Sequence, residues 1–196
     1  MAIKLGNQEI TLKVGSNDVS AAYLGSTLVY SGGTPPTPSF DGKWLATYTG
    51  GTTSSAECDA SSAITENEIQ KNQLVAVQIG QCVTSIGGNA FQDCSGLTSI
   101  TIADSVTSIG DGAFFKCSGL TSVTIPESVS NIGMSVFNHC TGLASITCLA
   151  TTPPKLNIWS FDDTNDCPIM VPAASVSAYK SAARWSSYAS RIVAIP

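Results

Sequence analysis

The chain repeats itself, and that constrains its fold more than anything else in the sequence. Val83, Val106 and Val129 stand 23 residues apart and open three units. These read VTSIGGNAFQDCSGLTSITIADS, VTSIGDGAFFKCSGLTSVTIPES and, for the start of the third, VSNIGMSVFNHCTGLASITC. Equivalent positions hold Ile86, Ile109 and Ile132; Phe91, Phe114 and Phe137; Cys94, Cys117 and Cys140; Leu97, Leu120 and Leu143. One unit of this length cannot bury an apolar face by itself, so like units must stack and cover one another.

Within each unit lies L-x-x-L-x-L, with Ile or Val at the later places: Leu97, Ile100 and Ile102; Leu120, Val123 and Ile125; Leu143, Ile146 and Cys148. A degenerate fourth copy precedes them at Leu74, Val77 and Ile79. This is the leucine-rich-repeat signature, whose period runs roughly 20–29 residues. The expected fold is a β-rich α/β solenoid of short parallel strands. Ile100, Ile102 and their equivalents point inward, while Ser99, Thr101, Ser122, Thr124, Ser145 and Thr147 alternate outward as the candidate binding face. The segment 112–117 predicts a helical turn, with Gly87, Gly110 and Gly133 marking the bend before it.

The unit V-T-S-I-G-x-x-A-F-x-x-C-x-G-L-T-S-I-T-I-P resembles the BspA-type leucine-rich repeats of bacterial surface proteins. So does the tail: Pro153–Pro154, then VPAASVSAYKSAARW (171–185), then RIVAI (191–195). The resemblance covers roughly residues 60–196. It implies a non-enzymatic binding module, displayed in many copies on a cell surface, with a protein or glycan ligand and no cofactor. MAIKLGNQEITLKV lacks the basic start and apolar run of a secretory signal. Cytoplasmic synthesis followed by assembly into a virion therefore stands beside surface display.

The expected organisation is a small β-rich segment at 1–30, a Pro/Gly/Ser/Thr linker at 31–39 and the solenoid at 40–196. An N-cap occupies 40–69, repeats run from about 70 to 152, and a C-cap fills 153–196. Solenoid ends need atypical caps. Trp44, Tyr48 and Ile64 are expected to close one end. A short helix near 174–183, with Tyr179 and Trp185, closes the other. In the first segment Ile10, Leu12 and Val14 alternate, with turns at 15–18 and around Gly25-Ser26. About 30 residues bury too little surface to be stable alone, so residues 1–33 are expected to dock or to assemble copies. They loosely resemble leader segments of phage structural proteins.

Charge excludes one class of partner. With nine Lys and Arg and a net charge of −5, no basic run exists to neutralise a phosphate backbone, so nucleic acid is not expected. No run of about 20 apolar residues occurs, so no inserted helix is expected.

Chemistry is expected nowhere. Seven cysteines are an odd number, and Cys94, Cys117 and Cys140 share one repeat position. Adjacent coils lie about 4.8 Å apart, so a ladder of thiols forms. It reads as buried core, since no close pair such as C-x₂-C marks a metal site. His139 beside Cys140 lacks an orienting acid and sits where Lys116 and Asp93 sit, an exposed position. Asp162-Asp163-Thr164-Asn165-Asp166 lacks the glycine and distal glutamate of a calcium loop and reads as a solvated turn. No phosphate loop, nucleophile elbow or zinc-protease motif occurs.

The Ser/Thr face is small. Four strands span about 20 Å and three residues along each about 10 Å. The resulting area of roughly 200 Å² is well below the roughly 800 Å² per partner of a standard interface. Binding through it must be weak at one copy and rely on avidity.

Overall fold

A computed structural model describes residues 2–5, 8–11, 21–24, 27–30, 43–51, 53–56, 63–64, 71 and 73–196. The chain divides into two units, Met1–Pro38 and Ser39–Pro196. In the first, β1 (Ala2–Leu5) pairs antiparallel with β2 (Gln8–Thr11), and β3 (Ala21–Leu24) with β4 (Thr27–Tyr30). Leu24 is registered with Thr27, and the expected turn around Gly25-Ser26 lies outside the described residues. Leu12 and Val14, the expected turn at 15–18 and the expected linker at 31–39 lie outside the described residues.

The second unit holds β5 (Trp44–Tyr48), β6 (Thr53–Ala56), β7 (Ala63–Ile64), β8 (Leu74–Ile79), β9 (Ser85–Ile86), β10 (Ser99–Thr101), β11 (Ser108–Ile109) and β12 (Ser122–Ile125). After these come β13 (Asn131–Ile132), β14 (Ser145–Cys148), β15 (Lys155–Leu156), β16 (Ile169–Val171), α1 (Val176–Ser181) and β17 (Ile192–Ala194). Each coil contributes one rung to each of two columns. The first column is an unbroken parallel ladder in the order β7-β9-β11-β13-β15. The second is two sheets, β10-β8-β5-β6 and β12-β14-β16-β17. Between those sheets Thr121 donates its amide to the Thr98 carbonyl at 3.4 Å.

The core lies between the columns. Phe91, Phe114, Phe137 and Phe161 stack at 5.1, 5.2 and 5.8 Å with their rings within 6° of parallel, and Trp185 ends the row at 5.5 Å from Phe161. All five are buried. Each such pair adds about 0.5–1.5 kcal/mol beyond the area it removes from water. Leu97, Leu120 and Leu143 are fully buried, as are Ile86, Ile109 and Ile132 to within 1%.

Residues 112–117 do not make the expected helical turn; they make a run of tight turns. The amides of Ala113, Phe115 and Cys117 donate to the carbonyls three residues earlier, at Gly110, Gly112 and Phe114. Those of Gly112, Phe114 and Lys116 donate instead to Met134, Val136 and Asn138 in the next coil. Every second amide thus runs along the stack, which a helix's i to i−4 bonds would forbid. Left-handed φ angles at Gly112 (61°) and Lys116 (60°) produce the alternation. Gly110 and Gly133 are needed for a different reason than bending. A Cβ on Gly110 would lie 2.6 Å from the Gly88 nitrogen, and one on Gly133 would lie 2.6 Å from the Asp111 nitrogen. Coils approach too closely there for any side chain.

The C-terminal part also differs from expectation. Residues 153–171 form a further coil instead of belonging wholly to the cap: β15 pairs parallel with β13, and β16 with β14. The helix is shorter than 174–183, a 3-10 turn at Ala173–Ser175 leading into α1. Tyr179 and Trp185 are buried over this coil. They donate to the Ala150 and Pro154 carbonyls, each at 2.8 Å. At the other end β5 lies antiparallel on β8 and places Trp44 in the core. Ile64 is registered with Ile86 and so belongs to the ladder.

Candidate binding surfaces

The six outward residues fall into two blocks. Ser99 and Thr101 on β10 neighbour Ala76 and Gln78 on β8, and both are exposed. Ser122 and Thr124 on β12 face Ser145 and Thr147 on β14 in register. The first pair is exposed and the second half-buried. The row then becomes apolar: Thr147 is registered with Met170, and Met170 with Val193, which is 42% exposed. The 23-residue period alone did not reveal this apolar end, because Met170 and Val193 lie in the stretch read as a cap.

Other hydroxyls that look like surface are tied down. Thr98 donates through Oγ1 to the Val75 carbonyl at 3.1 Å, and Thr121 to that of Thr98 at 3.3 Å. On the other column Thr107 donates to Thr84 at 3.1 Å and Ser130 to Thr107 at 3.2 Å. Ser105 and Ser128 reach Val83 and Val106 at 2.7 and 2.6 Å. Part of the Ser and Thr content therefore links coil to coil at the corners.

The thiol ladder is present and sits in the core. Cys94, Cys117 and Cys140 are fully buried. Cys117 donates its thiol to the Phe91 carbonyl at 3.1 Å, and Cys140 to that of Phe114 at 3.0 Å. Burial pushes the Cys94 thiol up to about 11. Cys117 is held protonated still more firmly, by its hydrogen bond with Cys140 and by burial. Burial alone pushes Cys148 up to about 12. Such groups are poor nucleophiles and poor metal ligands, both of which require thiolate. Cys82 is disulfide-bonded, whereas Cys94, Cys117 and Cys140 of the ladder are free.

His139 is exposed, with Nδ1 at 3.4 Å from an Asp163 oxygen and its ring edge-on to Phe115 at 5.6 Å. The acidic stretch is more than a solvated turn. Thr164 is 1% exposed and occupies the last coil's counterpart of the Cys140 position. It donates to the Phe161 carbonyl at 2.8 Å and accepts from Arg191 at 2.7 Å. Among the described residues no three His, Cys, Asp or Glu side chains are grouped to hold an ion. At this same end lies a polar cavity of about 280 Å³, bordered by Trp159, Asp162, Arg184 and Tyr188. Sequence reasoning missed it, since all of its bordering residues come from the segment taken as a cap.

Residues 62–179 match, in six copies, the family described as the BspA type leucine rich repeat region. No curated protein matches. The crystal structure of a leucine-rich repeat protein from Eubacterium ventriosum ATCC 27560 is similar at 28% identity and a TM-score of 0.42. That likeness spans 50% of this chain and only 27% of the other.

Proposed function

The chain belongs to the BspA-type leucine-rich-repeat family, and from that premise we propose that it is an adhesion module that recognises a protein or glycan on a host or bacterial surface, many copies acting together. Leucine-rich-repeat domains generally mediate binding and are generally not enzymes. The observation that carries the reading is the flat outward row Ser122–Thr124 over Ser145–Thr147. It offers short hydroxyls on a rigid parallel ladder and leads into Met170 and Val193. Large aromatic and arginine anchors, which dominate tight interfaces, are not among these residues. A single copy thus binds weakly, and strength comes from number. The buried thiols of Cys94, Cys117 and Cys148, held protonated, favour recognition over catalysis.

The test compares beads carrying the full chain at graded density for adhesion to cultured epithelial cells and to bacterial cells. Retention is expected to rise far more steeply than in proportion to density. Thr124→Lys, an exposed change in the middle of the row, should remove it. Sub-millimolar binding by soluble monomer, or adhesion indifferent to Thr124→Lys, would sink the proposal. The copies are supplied by residues 1–33 in this reading. The solution mass of the full chain beside one starting at Phe40 should fall from oligomer to monomer.

A further inference from the structure

Trp159 stands where the three preceding coils carry Asn89, Gly112 and Ser135. All four have left-handed backbones, with φ of 59°, 56°, 61° and 53° in that order. Glycine adopts that region freely and asparagine often, whereas a bulky side chain is strained there. The core does not require the exchange, because Trp159 is 55% exposed. Large aromatic side chains held in a strained conformation at the surface call for a reason outside the fold.

The surroundings supply one. Trp159 borders the cavity of about 280 Å³ together with Asn157, Asp162, Arg184, Ser187 and Tyr188. Tyr188 donates to Asp162 Oδ1 at 2.5 Å, which fixes the carboxylate and leaves Oδ2 free to accept among the described residues. The Arg184 side chain has no hydrogen-bond partner among the described residues, so its five N–H donors remain available. One carboxylate and one guanidinium make the wall neutral overall. A cationic ligand would meet Arg184 and an anionic one would meet Asp162. An uncharged ring with hydroxyls on its rim and C–H groups on its faces suits every group present. Hydroxyls can donate to Asp162 and to Asn157 Oδ1, whose Nδ2 is taken by the Ile132 carbonyl, and accept from Arg184 and Ser187, and a C–H face can lie on the indole. The volume falls just under the roughly 300 Å³ at which pockets for drug-sized ligands begin, which is room for one ring.

We propose that this cavity at the last coil is a saccharide subsite for a single uncharged pyranose residue, with Trp159 as its stacking platform. It stands apart from the strand face and needs no strand-face contact. About 12 non-hydrogen atoms at the efficiency of an ordinary ligand correspond to a Kd on the order of millimolar.

The test titrates the full chain with glucose, galactose, mannose and N-acetylglucosamine, following tryptophan fluorescence and heats of binding. Saturable binding of at least one sugar is expected. Trp159→Ser restores the residue type of the preceding coil and relieves the backbone. It should weaken binding at least about tenfold while leaving the melting temperature unchanged or higher. Thr124→Lys should leave the titration untouched, which separates this site from the strand face. No binding of any of the four sugars, equal binding by Trp159→Ser, or a lower melting temperature for that variant would overturn the proposal.

Discussion

Cys117 and Cys140 hold the middle of the solenoid by reaching back one coil, to the carbonyls of Phe91 and Phe114. In the last coil Thr164 turns to Phe161 of its own coil, and Arg191 does what a further coil would have done. Arg191 donates to the Phe161 carbonyl at 3.0 Å, to the Cys167 carbonyl at 2.9 Å and to Thr164. The contrast separates two ways of satisfying the same backbone groups. A middle coil relies on neighbours that are copies of itself, so its side chains can be small and uncharged. The end coil has no such neighbour, and one long cation supplies the missing donors. Freed from matching a following coil, the end coil also accommodates Trp159 and Tyr188, which the middle coils have no place for.

The sharpest way to break this contrast is Phe114→Ala. It removes a fully buried ring stacked on both sides, and urea unfolding should show a loss of about 3–5 kcal/mol. A loss under about 1 kcal/mol would mean that the aromatic row is not what binds coil to coil. Next in size is Arg191→Met, expected to cost about 2 kcal/mol through its lost charged hydrogen bonds. Here the distribution matters more than the total. Hydrogen exchange should speed up in residues 161–171 and stay slow in residues 109–125, as local opening at a solenoid end requires. Equal loss throughout would show that the end is not a separate device.

The smallest effect is a titration. Burial raises Cys94 from 9.0 to about 11 and Cys148 from 9.0 to about 12. The unfolded chain therefore gives up these protons first as pH rises. The contribution is whole below about pH 9 and is lost as pH climbs towards about 11 and 12. Urea midpoints measured from pH 7 to 10.5 should fall near the top of that range. The fall should be shallower in a Cys94→Ala, Cys148→Ala double variant.

Identical residues at one spacing carried most of the fold. Phe91, Phe114 and Phe137, or Ile86, Ile109 and Ile132, are copies, and copies at a constant interval must lie above one another. The last coil was harder to see because its interval changes. Ile132 is registered with Leu156, 24 residues on, and Phe137 stacks on Phe161 at the same distance along the chain. Threonine meanwhile replaces the cysteine of the earlier coils. The turns at 112–117 could not be read from local preference, since half of their amides are claimed by residues about 22 positions later. The strand face was legible as alternation from Ser99 to Thr147. The cavity was not, because Trp159 and Arg184 are brought together only by the final crossing of the chain.

The glycine at each corner has a consequence for how such a chain can change over generations. A Cβ on Gly119 would come within 2.4 Å of the Ser95 carbonyl oxygen, and one on Gly142 within 2.4 Å of that of Ser118. At these two junctions the clearance between neighbouring units is therefore the same. A gene that gains or loses one 23-residue unit by unequal recombination joins surfaces that already fit. Length can vary between descendants without any new interface having to arise, and the two ends, with whatever they bind, are carried further apart or closer together in fixed steps.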